Sequence, residues 1–287
     1  ALVPCGRLHL PPNMVGLEAL QGHCPQVTQV ACFDTSLHQD MPGRAQLTGL
    51  PRHYADKGSR RYGFHGLSYE VMVEDLRRRS GEDALNQRLI VAHLGGGASL
   101  AAIHRGRTVD TTMGFSALSG MPMGTRSGDL DPGLLLYLGS AAHLDFLQLE
   151  DLLYHRSGLL GLSGVSSDMR ELLARRGTTA DVDEAIRFFC YRARQFIGAL
   201  AAVMGGLDRL IFTGGIGAHS PDIRAEICAE LGFLGIELDP ERNRSPEPAI
   251  AAERSAVQVE AVMTDEELMI ARHARRLLSG GDAKCLQ

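Results

Sequence analysis

The 287-residue sequence carries few features of a membrane, redox or nucleic-acid-binding protein. Its formal net charge is −5, so it has no overall basic field for nucleic acid or an anionic membrane surface. No apolar run is long enough to span a bilayer. The six cysteines include no C-x-x-C pair, which favours reduced thiols and a cytoplasmic location. Any anionic substrate must be held by local Arg and His side chains.

Two common phosphate-binding fingerprints are also missing. No stretch matches G-x-x-x-x-G-K-[ST], which excludes a P-loop enzyme. The glycine turn from Gly214 onward is not a G-x-G-x-x-G sequence, because Ser220 stands where the third glycine is needed. A nucleotide site in this chain must be built in another way.

Alternating strand-like and helix-like segments predict an α/β fold, and the 33 glycines are typical of many tight turns. The patterns predict strands over 27–33, 89–94, 98–104, 108–112, 209–213 and 256–262. They predict helices over 131–138, 181–204, 221–231 and 266–278. Thr264 and Glu267 have capping-box spacing, which predicts Thr264 as the N-cap of the last helix.

Two of the predicted strands end in glycine turns, at 95–97 and at 214–217. Without Cβ atoms, such turns allow backbone N–H groups to approach a phosphate closely. The second turn also precedes a predicted helix, whose N-terminal end favours anions. For either turn taken alone, an ordinary glycine-rich turn without a ligand is the more common case.

Arg126 lies in the glycine-rich segment 124–129, which is too rich in glycine for a regular element. This setting is typical of a guanidinium presented to an oxyanion. The alternative is a surface arginine paired with Asp129.

Six motifs follow one another along most of the chain. They are F-D-T-x-x-H-Q at 33–39, Y-G-F-H-G at 62–66, H-L-G-x-G-x-S at 93–99, M-G-T-R-S-G-D at 123–129, G-G-I-G at 214–217 and T-x-E-E-L-x-I-A-R at 264–272. In this order they closely resemble the acetate and propionate kinase family.

The resemblance implies an α/β fold of the actin, sugar kinase and Hsp70-like class, built from ribonuclease-H-like domains. By the same resemblance, residues 1–36 are a remnant of the first domain and residues 37–264 form the second, nucleotide-binding domain. Residues 265–287 are then a C-terminal helix that returns to the first domain.

The resemblance further implies reversible transfer of the ATP γ-phosphoryl group to acetate, giving acetyl phosphate and ADP, with Mg²⁺ or alternatively Mn²⁺. It implies a homodimer with no nucleic-acid or membrane partner. Acetate is already ionised at pH 7, so the reaction needs alignment and charge neutralisation rather than a strong base.

The resemblance also assigns residues to roles. Arg126 holds the transferring phosphoryl group, His65 and His93 donate hydrogen bonds to it, and Asp34 orients the shell of the metal ion. Glu266 is the metal ligand. His9 and Phe64 lie on the acid-substrate side. The nucleotide is assigned to His93, Leu94, Gly95, Gly96, Gly97, Asp168, Met169, Arg170, Gly215, Ile216 and Gly217.

Plainer interpretations stay open for some of these residues. Glu266 also fits an acidic residue in the first turn of a helix, which the macrodipole favours. Asp168 and Arg170 fit a helix-start acid followed by a surface base.

Some family features are not found in this sequence. They include an opening N-x-G-S-S-S phosphate loop and an H-R-V-V-H-G-G stretch, and Ala117 stands where proline is frequent beside the acyl pocket. We expect a large part of the first domain to be missing, an exposed 27–33 strand and slow turnover of acetate by this chain alone. The alternatives are a non-catalytic nucleotide-binding remnant and a kinase for propionate or butyrate.

Overall fold

A computed structural model describes residues 10–279, with side chains from residue 13 onward. The strands are β1 Arg88–Leu94, β2 Ala98–His104, β3 Arg107–Thr111, β4 Arg209–Thr213 and β5 Gln258–Ala261. The helices are α1 Leu10–His23, α2 Gly43–Gln46, α3 Arg52–Ala55, α4 Gly66–Ser80, α5 Pro132–Ser140, α6 Phe146–His155, α7 Gly158–Ser163, α8 Met169–Ala174, α9 Ala180–Met204, α10 Gly214–His219, α11 Pro221–Cys228 and α12 Glu266–Leu278.

The five strands form one mixed sheet in the order β3-β2-β1-β4-β5. The first three strands pair antiparallel, whereas β1, β4 and β5 run parallel to one another. β1 is the central strand, and its apolar run is almost entirely buried, as expected for a strand covered on both faces. The carboxyl ends of β1 and β4 therefore lie side by side at one edge of the sheet, where open α/β sheets bind ligands.

Helices cover both faces of this sheet. Ile90 and Ala92 belong to a core cluster with the long helix α9, represented by Phe189 and Ile197. The β1 residues that alternate with these point to the other face of the sheet, where they pack in a second cluster with Tyr69, Met72 and Leu76 of α4. This alternation follows from the period of two residues along a strand. It places α4 and β1 in direct contact, each bearing residues assigned to the site.

Most of the predicted elements are confirmed. The strands over 89–94, 98–104, 108–112, 209–213 and 256–262 correspond to β1 to β5 with small shifts at their ends. The helices over 131–138, 181–204 and 266–278 correspond to α5, α9 and α12, while the helix that starts at Pro221 ends earlier, at Cys228. No helix of residues 10–279 is long and apolar enough to cross a membrane.

The predicted strand over 27–33 is wrong. The segment has no regular secondary structure, and its end residues Val27 and Phe33 are 59% and 46% exposed. A strand requires a neighbour to pair with, and the sheet of the described chain ends at β3 and β5. The apolar pattern of this segment was therefore not sufficient to define a strand.

The predicted N-cap of α12 is also wrong. Asp265 is the N-cap, and its carboxylate accepts a hydrogen bond from the Leu268 N–H at 2.8 Å. A carboxylate at this position both satisfies a free N–H and complements the helix dipole. Thr264 lies one residue earlier, and its hydroxyl is buried without a partner in residues 13–279.

The predicted division into domains at residues 36 and 264 stays a prediction. Within the described chain, α12 lies against α4, where His273 Nε2 is 2.8 Å from Glu70 Oε2. The helix that begins at Glu266 is thus joined to the helix that begins directly after His65.

Candidate active site

Asp34 is fixed at the N-terminus of α4. Its carboxylate accepts hydrogen bonds from the backbone N–H groups of His65 at 2.6 Å and Leu67 at 3.3 Å. Its backbone carbonyl accepts another from the Gly66 N–H at 2.8 Å. The first N–H groups of a helix have no partner within the helix, so an acidic residue placed there is stabilised by both hydrogen bonds and the helix dipole. The sequence thereby holds Asp34 beside His65.

The connection between His65 and α4 has a strained backbone. His65 adopts left-handed dihedral angles, with φ at 58° and ψ at 26°, which cost an L-residue roughly 1–2 kcal/mol. A Cβ atom on the following residue, Gly66, would overlap the carbonyl oxygen of Asp34. The Y-G-F-H-G motif therefore has a steric reason for its last glycine, and strain of this kind is typical of functional sites.

The rings of His65 and His93 are stacked. Their centroids are 4.2 Å apart and the ring planes differ by 16°. Nδ1 of His65 lies 2.8 Å from the Ser99 hydroxyl, and Nδ1 of His93 lies 2.8 Å from the Ser68 hydroxyl. His93 and Ser99 are directly opposite each other in the β1–β2 ladder. The sheet register and the start of α4 together bring the two imidazoles into contact.

His93 is held in its neutral form. Burial, followed by the neighbouring His65, lowers the pKa of His93 to about 3. At physiological pH its imidazole therefore acts as a neutral hydrogen-bonding group rather than as a charge.

Arg126 lies over the glycine turn that follows β1. A Cβ atom on Gly97 would be 2.8 Å from Nη2 of Arg126 and 3.2 Å from Nε2 of His65. A side chain at this position would fill the space around these donor groups. Burial lowers the pKa of Arg126 from its ordinary value, which marks the guanidinium as poorly solvated. The structure thus brings Arg126 and the two histidines together around one small hollow.

The alternative of a surface Arg126 paired with Asp129 is wrong. Nη1 of Arg126 donates to the carbonyl of Ala117 at 2.7 Å. Asp129 instead accepts from the Gly120 N–H at 2.7 Å and lies 3.8 Å from the guanidinium of Arg192.

The loop that carries Arg126 is fixed by α7. The N–H groups of Leu159 and Leu160 donate to the carbonyls of Met123 and Gly124 at 2.8 and 2.9 Å. Gly158 adopts a positive φ of 61°, and a Cβ atom there would overlap the Met123 carbonyl oxygen. Only glycine allows α7 to approach the loop this closely.

Three glycine-containing segments meet at this edge of the sheet. The Gly95 N–H donates to the Gly97 carbonyl at 2.9 Å, and the Gly124 N–H donates to the Gly96 carbonyl at 3.1 Å. A Cβ atom on Gly95 would lie 3.8 Å from the backbone nitrogen of Gly215. The predicted nucleotide turns 95–97 and 214–217 are therefore neighbours.

The second glycine turn is itself helical. α10 begins at Gly214, whereas the sequence pattern placed a turn there and the helix after it. Gly214 has a φ of 75° and packs so closely on Leu94 that a Cβ atom would lie 2.6 Å from the Leu94 carbonyl oxygen. The Leu94 side chain is fully buried in the core, as is typical of a packing residue. Ile216 packs against the same core.

Glu266 and Asp34 form a pair of nearby carboxylates. Burial, and then the charge of Asp34, raise the pKa of Glu266. The first residue of α12 is therefore electrostatically coupled to the carboxylate at the start of α4. Glu266 is therefore more than an exposed first-turn acid.

The donors at this position fit a divalent cation. Two carboxylates supply the hard oxygen atoms that Mg²⁺ prefers, and their mutual repulsion is relieved by a cation. Thr213 is fully buried, and its hydroxyl has no hydrogen-bond partner in the part of the chain that the structure describes. The described residues contain no cluster of three or more acidic, His or Cys groups around one point.

Asp168, Met169 and Arg170 have simple structural roles. Asp168 caps α8 by accepting from the Arg170 N–H at 2.8 Å, and it pairs with the Arg170 guanidinium at 2.6 Å. The Arg170 side chain is 89% exposed, while Met169 is buried in the core. Ser167, which precedes Asp168, lies close to the glycine-rich segment that carries Arg126, since a Cβ atom on Gly124 would be 3.1 Å from the Ser167 carbonyl oxygen. Their assignment to the nucleotide stays a prediction.

Two predicted substrate residues remain. Phe64 is partly buried against the core, and its carbonyl accepts a hydrogen bond from His38 Nε2 at 3.0 Å. His9 lies outside the described residues.

Several residues of the site were not predicted. Ser68, Ser99 and Tyr69 contact the histidines or each other, and Gly158 holds the Arg126 loop. Ser99 ends the H-L-G-x-G-x-S motif, and Ser68 follows His65 by three residues, so both were adjacent to recognised positions. Tyr69 and Gly158 had no such signal, because their roles depend on contacts between distant segments.

A glycine-lined edge of parallel strands, a buried arginine, stacked histidines and paired carboxylates together define a phosphotransferase of the actin and sugar kinase class. Residues 1–272 match the acetokinase family, and the chain belongs to that family. It is 49% identical over 276 residues to the acetate kinase of Rhodopseudomonas palustris strain TIE-1, covering 96% of this chain and 69% of the relative. With the acetate kinase of Heliobacterium modesticaldum the identity is 46% over 284 residues, covering 98% and 71%.

Solved structures agree with this assignment. The crystal structure of the Porphyromonas gingivalis acetate kinase superimposes with a TM-score of 0.89 at 40% identity, covering 96% of this chain and 70% of that one. A propionate kinase from Francisella tularensis gives a TM-score of 0.88 at 35% identity, covering 94% and 69%. The predicted fold class and family are confirmed, and the family is one of enzymes.

Proposed function

We propose that the chain catalyses reversible transfer of the ATP γ-phosphoryl group to acetate, giving acetyl phosphate and ADP. The observation that carries the proposal is the convergence of Arg126 and His65 on the hollow at Gly97, with His93 stacked on His65. A transferring phosphoryl group spreads negative charge over its oxygens, and such a cluster of donors stabilises that charge. Membership of the acetokinase family supports acetate as the acceptor.

Each donor has a distinct part in this proposal. Arg126 supplies a fixed positive charge, oriented by its hydrogen bond to the Ala117 carbonyl. His65 and His93 supply hydrogen bonds from the other side of the hollow. Burial of Arg126 and His93 strengthens their interactions, because water competes less for the phosphoryl oxygens.

Asp34 holds the metal shell rather than removing a proton. The acceptor carboxylate is already ionised, so no proton has to be taken from it. The backbone N–H groups of His65 and Leu67 donate hydrogen bonds to the Asp34 carboxylate and fix its position.

Asp34 and Glu266 would hold Mg²⁺, and Mn²⁺ would fit the same oxygen ligands. When bound, the ion neutralises charge on the β- and γ-phosphates. Burial and the charge of Asp34 raise the pKa of Glu266, and a bound cation would offset that repulsion.

The nucleotide would lie along the glycine segments. Backbone N–H groups at 95–97 and 215–217 would face the phosphates, and Asp168, Met169 and Arg170 would lie on the adenosine side. The short distance between these two turns supports one continuous nucleotide path.

Propionate is a second candidate acceptor. Ala117 is buried beside Arg126 and is smaller than the proline that is frequent in the family. The space left by the smaller side chain favours a longer acid. One of the solved structures that this chain resembles is a propionate kinase, which supports the same possibility.

The test is an acyl-phosphate assay, in which hydroxylamine traps the product formed from ATP, Mg²⁺ and each of acetate, propionate and butyrate. Arg126→Ala should abolish hydroxamate formation. Arg192→Ala is the matched control, because Arg192 contacts Asp129 and Phe196 outside the proposed site. Equal, measurable rates in the parent chain and Arg126→Ala would refute the proposed role of Arg126, whereas no hydroxamate from the parent chain would favour a binding-only protein.

A homodimer is proposed from the family alone. Sedimentation of the purified chain tests it, since a single species near 31.0 kDa would contradict it.

A further inference from the structure

Two buried serines hold the inner ring nitrogens of the stacked histidines. Ser99 Oγ lies 2.8 Å from His65 Nδ1, and Ser68 Oγ lies 2.8 Å from His93 Nδ1. Both serines are fully buried. The proposed reaction uses only the other edge of each imidazole, so these contacts need a separate explanation.

The direction of the hydrogen bond between Ser99 and His65 follows from the contact of Ser99 with Tyr69. In residues 13–279, the Tyr69 hydroxyl has one hydrogen-bond partner, the hydroxyl of Ser99. Tyr69 is fully buried, and burial raises its pKa far above the ordinary value, so it keeps its hydrogen. A buried hydroxyl hydrogen without an acceptor costs roughly 1–3 kcal/mol. Tyr69 therefore donates to Ser99, and the Ser99 hydrogen is left to be donated to Nδ1 of His65.

The same reasoning applies to His93. Within the described residues, the Ser68 hydroxyl has Nδ1 of His93 as its hydrogen-bond partner. If that nitrogen carried a hydrogen, the Ser68 hydrogen would be buried without an acceptor. Ser68 therefore donates, and the hydrogen of the neutral His93 ring lies on Nε2.

We propose that Tyr69, Ser99 and Ser68 are positioning residues that fix both stacked imidazoles in the tautomer protonated at Nε2. The Nε2 atoms are the ones nearest the glycine turn. A Cβ atom on Gly97 would be 3.2 Å from Nε2 of His65, and one on Gly95 would be 3.8 Å from Nε2 of His93.

The consequence for catalysis concerns the phosphoryl oxygens, and it rests on the proposed function. A ring protonated at Nε2 donates to an oxygen at the hollow, whereas the other tautomer presents a lone pair and repels it. The three hydroxyl groups thus orient two hydrogen-bond donors before the substrate binds. Preorganised donors of this kind need no rearrangement during the reaction.

The tautomers are measured by long-range ¹H–¹⁵N correlation spectra of the chain labelled at its histidine ring nitrogens. His65→Gln and His93→Gln identify the two sets of signals. In the parent chain we expect unprotonated Nδ1 and protonated Nε2 for both rings. Signals from protonated Nδ1 in either ring at neutral pH would overturn the proposal for that ring.

Substitutions of the three hydroxyl residues test which group fixes the tautomer of each histidine. Ser99→Ala should mix the tautomers of His65 and leave His93 unchanged, and Ser68→Ala should do the reverse. Tyr69→Phe should resemble Ser99→Ala, while Tyr62→Phe, whose hydroxyl donates to the Gly58 carbonyl, is the matched control. Unchanged tautomers in folded Ser99→Ala and Ser68→Ala would exclude these serines as the cause.

The kcat of the variants is a second, independent test of the proposal. Ser99→Ala should lower kcat by about tenfold to a hundredfold, as is typical for loss of a group that orients a functional histidine. Ser99→Thr keeps the hydroxyl and should restore both the tautomer and kcat, whereas a purely structural role predicts no such link. The spectra need neither ATP nor acetate. Predicted tautomers with no phosphoryl transfer would therefore refute the proposed function and leave the tautomer assignment intact.

Discussion

The two ends of the proposed cleft are built very differently. At the chemical end, Asp34, His65 and His93 are each fixed by at least one hydrogen bond to α4 or to β2. At the nucleotide end, Arg170 is 89% exposed and pairs with Asp168, two residues before it. Groups that stabilise a transition state gain from being fixed in advance, whereas groups that contact a dissociating nucleotide can be ordered when it binds. The difference predicts that substitutions at the two ends will have very unequal effects.

The largest effect is expected from paired arginine substitutions at the two ends. Arg126→Ala should lower kcat by roughly 10³-fold or more, because the charge that neutralises the phosphoryl group is lost. Arg170→Ala should change kcat little and raise the KM for ATP by less than about tenfold, since exposed ion pairs contribute little. Steady-state kinetics of the two variants check this, and a larger kcat loss in Arg170→Ala would reverse the comparison.

A glycine substitution tests the rigidity of the chemical end. Gly158→Ala forces a Cβ atom against the Met123 carbonyl, so we expect a loss of about 3 kcal/mol in unfolding free energy and a marked loss of kcat. Gly164→Ala is the control, since Gly164 has a similar positive φ of 68° but open space around it. It should cost only about 1 kcal/mol from backbone strain and leave kcat unchanged. Equal losses in the two variants, measured by denaturant unfolding, would show that the contact with the Arg126 loop does not matter.

Acidification should destabilise the chain through its buried histidines. The pKa of His93 falls from 6.5 to about 3 on folding, and burial also lowers that of His38. As the pH falls below 6.5, the unfolded chain binds protons that the folded chain excludes. Stability is therefore full above that pH and is lost progressively down to about pH 3, by about 1.4 kcal/mol for His93 at pH 5.5.

The comparison that isolates His93 is the slope of unfolding free energy against pH in the parent chain and in His93→Asn. The slope should be smaller in the variant. Glu266, whose pKa is raised, contributes with the opposite sign, but it does so in both proteins. Identical slopes would mean that His93 is not kept neutral by burial.

The smallest effect is expected at Gly96. No atom lies within 4 Å of a Cβ placed there, and its φ lies outside the positive range that favours glycine. Gly96→Asn should change stability by less than about 0.5 kcal/mol. Thermal unfolding of the variant checks this, and a large loss would show that the turn 95–97 is packed more tightly than the structure indicates.

The elements of the sheet could be predicted because their signals are local. The apolar run of β1, the glycine that follows it and Pro132 at the start of α5 all act within a few residues. The segment 27–33 has an equally apolar pattern but no partner strand in the described chain, and the sequence does not show which strands will be neighbours. The predicted N-cap of α12 was wrong by one residue, because two adjacent residues, Thr264 and Asp265, are both of a type that caps helices.

The site was predictable only where its residues stand in motifs. Arg126 and His93 stand out because glycines surround them in sequence. The hydroxyl of Tyr69 reaches Ser99 only because α4 packs on the sheet, and Gly158 reaches Met123 only because α7 folds back on the loop. Contacts of this kind depend on tertiary packing and have no signature in the local sequence.

The central claim is that Arg126, His65 and His93 act on one phosphoryl group at Gly97. The most direct measurement is a crystal structure of the chain with ADP, Mg²⁺, acetate and a metal fluoride that mimics the transferring group. We expect the metal fluoride within hydrogen-bonding distance of the Arg126 guanidinium and of both Nε2 atoms. A fluoride bound away from Gly97, or an Arg126 side chain directed elsewhere in the complex, would contradict it.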